Sequence, residues 1–299
     1  MDTRVVAVPT GPAPGKTPPS IFRRPRGLFA WSAAVGIPTA LTAMHGSLYG
    51  RWIVDAAAIT FAYARSIATG AGPVLQPGGD PVEGYSNPAW MAVLVVGRWL
   101  DLFDRGSWFG VPDYVAFPKL LALLCCLGVF CCLYLAARSL SSRPVLVTAL
   151  AGSVTAAVPA FVIWTVSGLE NSLLALAVAG IAALLVRAAS EGRVPSGRVA
   201  AGCGLLAALA ALTRPDGLTY AVALPAAAVL ALRRRTVPAT LRATVISLVA
   251  FAVPAGIYLG WRLSTFGEYL PNTALAKAQG LPARRASRDR ASCSATSGG

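Results

Sequence analysis

Charged side chains are scarce in this chain. They make up 13% of its 299 residues, about half the share typical of a soluble domain. Lysine is nearly absent, and only Lys16, Lys119 and Lys277 occur. Hydrophobic residues reach 56% and fall in long runs. Because a run of about 18 apolar residues can cross the hydrocarbon core as a helix, the composition excludes an ordinary soluble domain and indicates a membrane protein.

The net charge of +14 does not indicate nucleic-acid binding. The arginines lie in short clusters between apolar runs, as expected when basic residues are retained on the cytoplasmic side of a membrane. The sequence has no basic stretch with interleaved aromatic residues that would predict a nucleic-acid groove. The lipid bilayer is therefore the partner that the charge pattern favours.

Six cysteines are present, and their spacing does not indicate a disulfide framework. Cys125, Cys126, Cys131 and Cys132 lie inside one apolar run, where we interpret them as small packing residues. A buried metal site is the alternative, although neither a histidine nor a carboxylate accompanies them.

Eight apolar segments stand out, each bounded to within a few residues: 28–48, 88–103, 115–137, 144–164, 168–186, 199–213, 217–232 and 243–263. Arginine clusters between them set the topology, because such clusters stay in the cytoplasm. The clusters are Arg23, Arg24 and Arg26; Arg138 and Arg143; Arg187, Arg193 and Arg198; and Arg233, Arg234, Arg235 and Arg242. The four clusters all lie on the same side of the membrane only if one segment between 49 and 115 does not cross it.

The segment that we expect not to cross is 88–103. It follows Pro88, is short and carries Arg98, so we predict a helix that lies in or dips into the outer interface. Residues 55–68 have helical spacing of apolar side chains and predict a second such helix. The sequence thus predicts an all-α, polytopic helix bundle with about seven spanning helices, a long first outer loop over about 49–114 and a cytoplasmic N-terminus in the plasma membrane.

Three regions follow from this pattern. Residues 1–27 predict a disordered cytoplasmic tail, because most of this stretch is rich in Pro, Gly and Thr and lacks apolar periodicity. Residues 28–277 form the transmembrane domain, and its first apolar segment is expected to be a retained anchor because no cleavage site follows it. Residues 278–299 are polar and patternless, and a frameshift or truncation is one hypothesis for them.

The predicted topology places ten of the twelve acidic residues outside. They are Asp55, Asp80, Glu83, Asp101, Asp104, Asp113, Glu170, Asp216, Glu268 and Asp289. Acidic side chains are costly in lipid and are usually functional when they are held near it. We therefore expect the functional face of the bundle to be the outer one.

Two motifs lie in the first outer loop. The first is Asp55-Ala-Ala-Ala-Ile-Thr-Phe-Ala-Tyr-Ala-Arg, in which Asp55 either acts as a general base or caps an interfacial helix. The second is Glu83-Gly-Tyr-Ser-Asn-Pro-Ala-Trp. Its Glu83, Tyr85 and Asn87 are candidate binding residues, while a simple turn with Trp90 as an interface anchor is the alternative.

Three further motifs lie in later outer loops. Ser167-Gly-Leu-Glu170 fits either a helix capping box or a functional Glu170. Thr213-Arg214-Pro-Asp216-Gly joins two short apolar segments; we favour Arg214 as a phosphate ligand over a tight turn whose arginine extends to the lipid headgroups. Phe266-Gly-Glu-Tyr-Leu-Pro-Asn272-Thr is by itself only a loop.

Together and in this order, the five motifs resemble those of the actinobacterial polyprenyl-phosphate-dependent glycosyltransferases of the GT-C class, in particular the terminal arabinofuranosyltransferases of the mycolate cell wall. The resemblance covers about residues 28–277. It implies an outer active site where a sugar leaves a polyprenyl-phosphate donor for a hydroxyl of a cell-envelope glycan acceptor. Asp55 would deprotonate the acceptor, and Arg214, alone or with a divalent cation, would stabilise the departing phosphate. The implied substrate-binding residues are Glu83, Tyr85, Asn87, Glu170, Arg214, Asp216 and Asn272.

The chain departs from the pattern of that family at its first motif. The family usually has two adjacent acidic residues there, whereas this chain has Asp55 and Ala56, and Ala62 replaces an arginine often found before the tyrosine. An inactive, truncated fragment is therefore one alternative. A transporter or flippase is another, although the sequence shows one interrupted segment, at 213–217, and no internal repeat.

Overall fold

The computed structural model describes residues 25–192, 194–231 and 236–267. Within these ranges the chain is mostly helical, with ten α-helices and one short hairpin. The elements are α1 Pro25–Ser47, α2 Asp55–Ala68, α3 Pro88–Trp99, β1 Ser107–Trp108, β2 Val111–Pro112, α4 Asp113–Leu140, α5 Pro144–Ala157, α6 Pro159–Thr165, α7 Asn171–Ser190, α8 Gly197–Thr213, a 3₁₀ helix Pro215–Val222, α9 Ala223–Leu230 and α10 Val237–Phe266.

Three helices, α4, α7 and α10, are long and apolar enough to cross a membrane. The bent pair α5 and α6 gives a fourth span if its two parts are taken together, whereas α8 and Pro215–Leu230 are apolar but shorter. Large apolar side chains stay exposed along α10, such as Val245, Val249 and Ile257, as expected for a surface that faces lipid. The predicted all-α class and membrane character are therefore supported, while the seven crossings and the cytoplasmic N-terminus stay predictions.

Two short helices confirm that the long segment between α1 and α4, the predicted first outer loop, has structure of its own. The predicted helix 55–68 matches α2, and the helix predicted to start at Pro88 is α3. With 12 residues, α3 is about 18 Å long, which is too short to cross a hydrocarbon core of about 30 Å. It ends at Trp99 rather than at 103, because Asp101 adopts a left-handed backbone conformation with φ 55°.

The segment 144–164, predicted as one apolar segment, is not a straight helix. It divides into α5 and α6, which meet at an angle of 80°. The break lies at Val158, which is extended with ψ 112° because the ring of Pro159 disfavours the helical conformation of the residue before it. The predicted segment 217–232 likewise divides into the 3₁₀ helix and α9.

An aromatic core fixes the first loop to the bundle. Phe61 of α2 packs edge-to-face on Phe103 with ring centroids 5.1 Å apart, and Phe103 packs on Phe117 of α4 at 6.0 Å. Trp90 of α3 is fully buried in the same cluster. The loop therefore packs on α4 through these rings, and its polar motifs are held at one end of the bundle.

Small residues bring α8 and α10 into close contact. Ala200, Cys203 and Ala207 of α8 are buried with Ala243 of α10. A Cβ atom at Gly204 would overlap the carbonyl oxygen of Ser247, so the two backbones touch at this point. Such small-residue contacts are typical of helix pairs in membranes.

We predict that Gly204→Ala destabilises the protein, because the new methyl group must push α10 away from α8. Overpacking of this kind costs about 2 kcal/mol, which corresponds to a fall in Tm of about 5 °C for a chain of this size. Thermal unfolding in detergent measures the change. Gly256→Ala is the matched control, because Gly256 is exposed on α10 with no neighbouring atom within 4 Å. An equal Tm for both variants would contradict the close contact of the two helices.

Candidate functional site

Polar side chains gather at one end of the bundle, which we call the polar end. It is formed by the first residues of α2, α3 and α7, the last residues of α8 and α10, and the segments between them. Of the nine acidic residues that the structure describes, five lie in these elements and segments: Asp55, Asp80, Glu83, Glu170 and Asp216. Asp101, Asp104 and Asp113 lie between α3 and the start of α4, and Glu191 lies beyond the opposite end of α7. The described motifs thus contact one another, while their placement on the outer face of a membrane stays a prediction.

Glu170 is the centre of the first network at the polar end. The amide nitrogen of Asn87 donates to Glu170 Oε2 at 2.7 Å, and the Thr60 hydroxyl donates to Asn87 Oδ1 at 3.2 Å. All three residues are buried. The Glu170 carboxylate can only accept a hydrogen bond, so the NH₂ group of Asn87 must face it. The amide oxygen of Asn87 then faces the Thr60 hydroxyl, and the two bonds fix the orientation of the side chain. The network joins α2, the segment before α3 and the start of α7.

The loop before α7 aims Glu170 at this network. The Val54 N–H donates to the Ser167 carbonyl at 3.0 Å, and Trp90 Nε1 donates to the Gly168 carbonyl at 3.1 Å. Gly168 has φ +86°, a conformation that favours glycine. The capping-box interpretation is wrong, because α7 begins only at Asn171 and the Glu170 side chain makes no capping hydrogen bond.

Arg214 approaches Glu170 from α8. Its Nη1 lies 3.9 Å from Glu170 Oε1 and donates to Asn171 Oδ1 at 3.0 Å, while its Nε donates to Asp216 Oδ1 at 3.0 Å. The guanidinium is therefore held in one orientation although its side chain is 38% exposed. A tight turn is present, because the Gly217 N–H donates to the Arg214 carbonyl at 2.9 Å, and it opens the 3₁₀ helix Pro215–Val222. The Arg214 side chain is nevertheless held by protein groups.

Glu83 is the centre of a second network. Its side chain is 3% exposed, and Arg262 Nε lies 2.6 Å from its Oε2. The Tyr258 hydroxyl donates to Oε1 at 2.8 Å. The sequence analysis missed Tyr258 and Arg262 because they lie inside the apolar segment 243–263. The available signal was two polar residues four positions apart near the C-terminal end of that segment, because such residues share one helix face.

Tyr85 is buried beside this pair. Its ring packs edge-to-face on that of Tyr63 at 5.0 Å, and the Tyr63 hydroxyl donates to the Val82 carbonyl at 2.5 Å. Burial, followed by the negative charge of Glu83, raises the pKa of Tyr85 above its usual value, so Tyr85 is a neutral phenol at physiological pH. The motif at 83–87 is therefore a buried polar cluster and not a simple turn.

Asp55 differs from the other candidates because it is exposed. The capping interpretation is wrong, since Val54 occupies the N-cap and Asp55 lies in the first turn of α2. Within the part of the chain that the structure describes, the Asp55 carboxylate makes no hydrogen bond or ion pair. The hydrogen bond between Val54 and Ser167 places this end of α2 against the loop that carries Glu170.

The described candidates thus fall into three adjacent groups. Asn87, Glu170, Arg214 and Asp216 form one network; Glu83 and Tyr85 belong to the second, and the short segment 83–87 connects the two. Asp55 stands apart with a free carboxylate. Asn272 lies outside the described residues.

The described residues do not fit a metal site. Residues 25–192, 194–231 and 236–267 contain no group of three or more His, Cys, Asp or Glu side chains that could hold an ion. Both oxygens of Glu83 are engaged, by an arginine and a tyrosine, whereas Glu170 accepts from Asn87 through Oε2 and faces Arg214 with Oε1. The four cysteines of α4 are free thiols and fit the predicted packing role.

Comparisons of the chain with protein-family models, with curated proteins and with solved structures found no match. Any function of the polar end is therefore argued from the motifs and their geometry.

We predict that Asn87→Leu destabilises the protein, because it leaves the buried Glu170 Oε2 without its donor. Losing a hydrogen bond to a buried charged group costs about 2 kcal/mol, and thermal unfolding in detergent measures it. Asp80→Leu is the control, since Asp80 lies exposed in the same loop. If both variants unfold at the same temperature as the unaltered protein, the contact between Asn87 and Glu170 is not made.

Proposed function

We propose that this chain is a membrane glycosyltransferase that moves a sugar from a polyprenyl-phosphate donor to a hydroxyl of a cell-envelope acceptor. Arabinofuranose is the sugar that the motif resemblance suggests. The reaction would take place at the polar end, on the outer face of the plasma membrane. The observation that carries the proposal is the network of Asn87, Glu170 and Arg214, because it joins three motifs that are far apart in the sequence but belong together in that class of enzyme.

Arg214 is suited to the phosphate of the donor. Its guanidinium is half-exposed and held by Asn171 and Asp216, so it needs little reorganisation to bind an anion. A guanidinium donates paired hydrogen bonds to phosphate oxygens, and a fixed cation stabilises the charge that develops on a leaving phosphate. Glu170 offsets part of the positive charge of Arg214 before the donor binds.

Asp55 is suited to the acceptor. Its carboxylate is exposed and unpaired, and a general base must be free to reach the proton that it removes. In the proposed step Asp55 takes the proton of the acceptor hydroxyl, the acceptor oxygen forms a bond to the anomeric carbon of the sugar, and the bond from that carbon to the phosphate oxygen breaks. Ala56 supplies no second carboxylate, so this role falls on Asp55 alone.

The apolar surface of the bundle fits a lipid-linked donor. The prenyl chain would lie along exposed apolar helices, while its phosphate reaches Arg214 at the polar end. The same surface is consistent with seven crossings, in which α1, α8 and the pair Pro215–Leu230 span together with the candidate spans. This placement would put the arginine-rich loops in the cytoplasm.

A transporter or flippase is the second candidate, and one observation favours it. The helix breaks at Val158 and at Arg214 resemble the interrupted helices that line transport sites. These breaks do not belong to an internal repeat, which transport sites of that kind usually have. Uptake of labelled substrate into vesicles, with no transfer to an acceptor, would favour this candidate over the transferase.

We predict that Asp55→Asn lowers sugar transfer by about 10²-fold or more, the usual effect of losing a general base. Arg214→Gln should lower it to a similar extent. The assay uses membranes with a polyprenyl-phosphate arabinofuranose donor and a glycan acceptor, and it compares equal amounts of inserted protein. Asp80→Asn is the matched control, because it removes an exposed carboxylate of the same loop. Undiminished transfer by both variants would overturn the roles, and no transfer by the unaltered protein would overturn the function.

A further inference from the structure

The outer end of α10 carries a polar face inside an otherwise apolar helix. Tyr258 and Arg262 are four residues apart and therefore lie on the same side, whereas Ile257 and Trp261 are exposed on other sides. Arg262 is 7% exposed as a residue. An arginine within a candidate spanning helix is costly unless it is paired, so its position calls for a specific partner.

Glu83 is that partner, and each of the two buried charges needs the other. The two side chains are 3% and 8% exposed and lie 2.6 Å apart, so neither charge is stabilised by bulk water. The Tyr258 hydroxyl binds the other carboxylate oxygen. Removing one member of a buried ion pair is strongly destabilising because it leaves the other charge uncompensated. The pair therefore fixes Glu83, and with it the long segment between α2 and α3, to α10.

This attachment reaches the first network through four peptide bonds. Glu83 and Asn87 lie at the two ends of the short segment 83–87, and Tyr85 between them is buried against Tyr63. Asn87 in turn holds Glu170, which faces Arg214. A shift of Glu83 would therefore be transmitted along this short segment to Asn87 and to its hydrogen bond with Glu170.

We propose that Tyr258 and Arg262 are positioning residues that fix the segment 83–87 and thereby align Asn87, Glu170 and Arg214. They act through Glu83 and do not touch the substrate. The effect on catalysis rests on the proposed function, whereas the effect on the segment does not.

Hydrogen exchange of the full chain in nanodiscs tests the attachment directly. In Arg262→Leu, peptides from 70–87 should exchange more than about tenfold faster than in the unaltered protein, because the segment opens to release the uncompensated Glu83. The double variant Glu83→Leu, Arg262→Leu should exchange more slowly than the single one, since it leaves no unpaired charge. Arg105→Leu is the control, because Arg105 pairs with Asp101 at the surface. Unchanged exchange of 70–87 in Arg262→Leu would overturn the proposal.

Transfer kinetics test the consequence for the site. Arg262→Leu should lower kcat for sugar transfer at least about tenfold with little change in the donor KM, and Arg262→Lys should restore part of the loss because it keeps the charge. A raised donor KM with unchanged exchange would instead make Arg262 a substrate ligand and overturn the positioning role. If the unaltered protein transfers no sugar, the proposed function fails, and the exchange experiment still decides the attachment.

Discussion

The buried carboxylate of Glu170 is the constraint on which the polar end depends. A buried ionised carboxylate is tolerated only when donors surround it, and the donors here come from distant parts of the chain: Asn87 lies 83 residues before Glu170 and donates at 2.7 Å. Arg214 lies 44 positions after it and approaches to 3.9 Å. Satisfying one side chain thus requires the first loop, the start of α7 and the end of α8 to meet.

Charged side chains of the first loop are likewise paired. Glu83 is compensated by Arg262, while Asp104 binds Arg65 at 2.5 Å and Arg98 at 2.6 Å. The hydrogen bond to Asp104 raises the pKa of Arg65 above its usual value, so Arg65 remains charged. Among the described carboxylates, Asp55 and Asp80 stay exposed and unpaired. Asp55 differs from Asp80 because the hydrogen bond between Val54 and Ser167 holds its end of α2 against the loop that carries Glu170.

Local periodicity predicted much of the fold. The helix over 55–68 was predicted to the residue because its apolar side chains recur at helical spacing, and α4 and α7 follow from long apolar runs. The bend at Val158 was missed because hydropathy does not respond to one proline, although Pro159 marks the position. Of the two interpretations of Ser167-Gly-Leu-Glu170, the capping box is wrong, since Glu170 contacts the distant Asn87 and makes no capping hydrogen bond.

The site could be predicted only in part, because its geometry depends on long-range contacts and not on local periodicity. Its residue types were recognisable in the motifs, but which side chains pair depends on contacts between distant segments. Tyr258 and Arg262 were missed because the mean hydropathy of their segment is high, and a mean value does not reveal one polar face of a helix. The role of Asp55 stays a prediction from its motif, and its free carboxylate is visible only in the folded chain.

The most direct test of the central claim is the accessibility of single cysteines to a membrane-impermeant thiol reagent on intact cells. Asp80→Cys and Asp216→Cys lie at the polar end, and Ser142→Cys lies in the loop between α4 and α5 at the other end. The account predicts that the first two are labelled from outside and that Ser142→Cys is labelled only after the cells are opened. Labelling of Asp80→Cys and Asp216→Cys from opposite sides would contradict it, because their motifs could not then meet at Glu170.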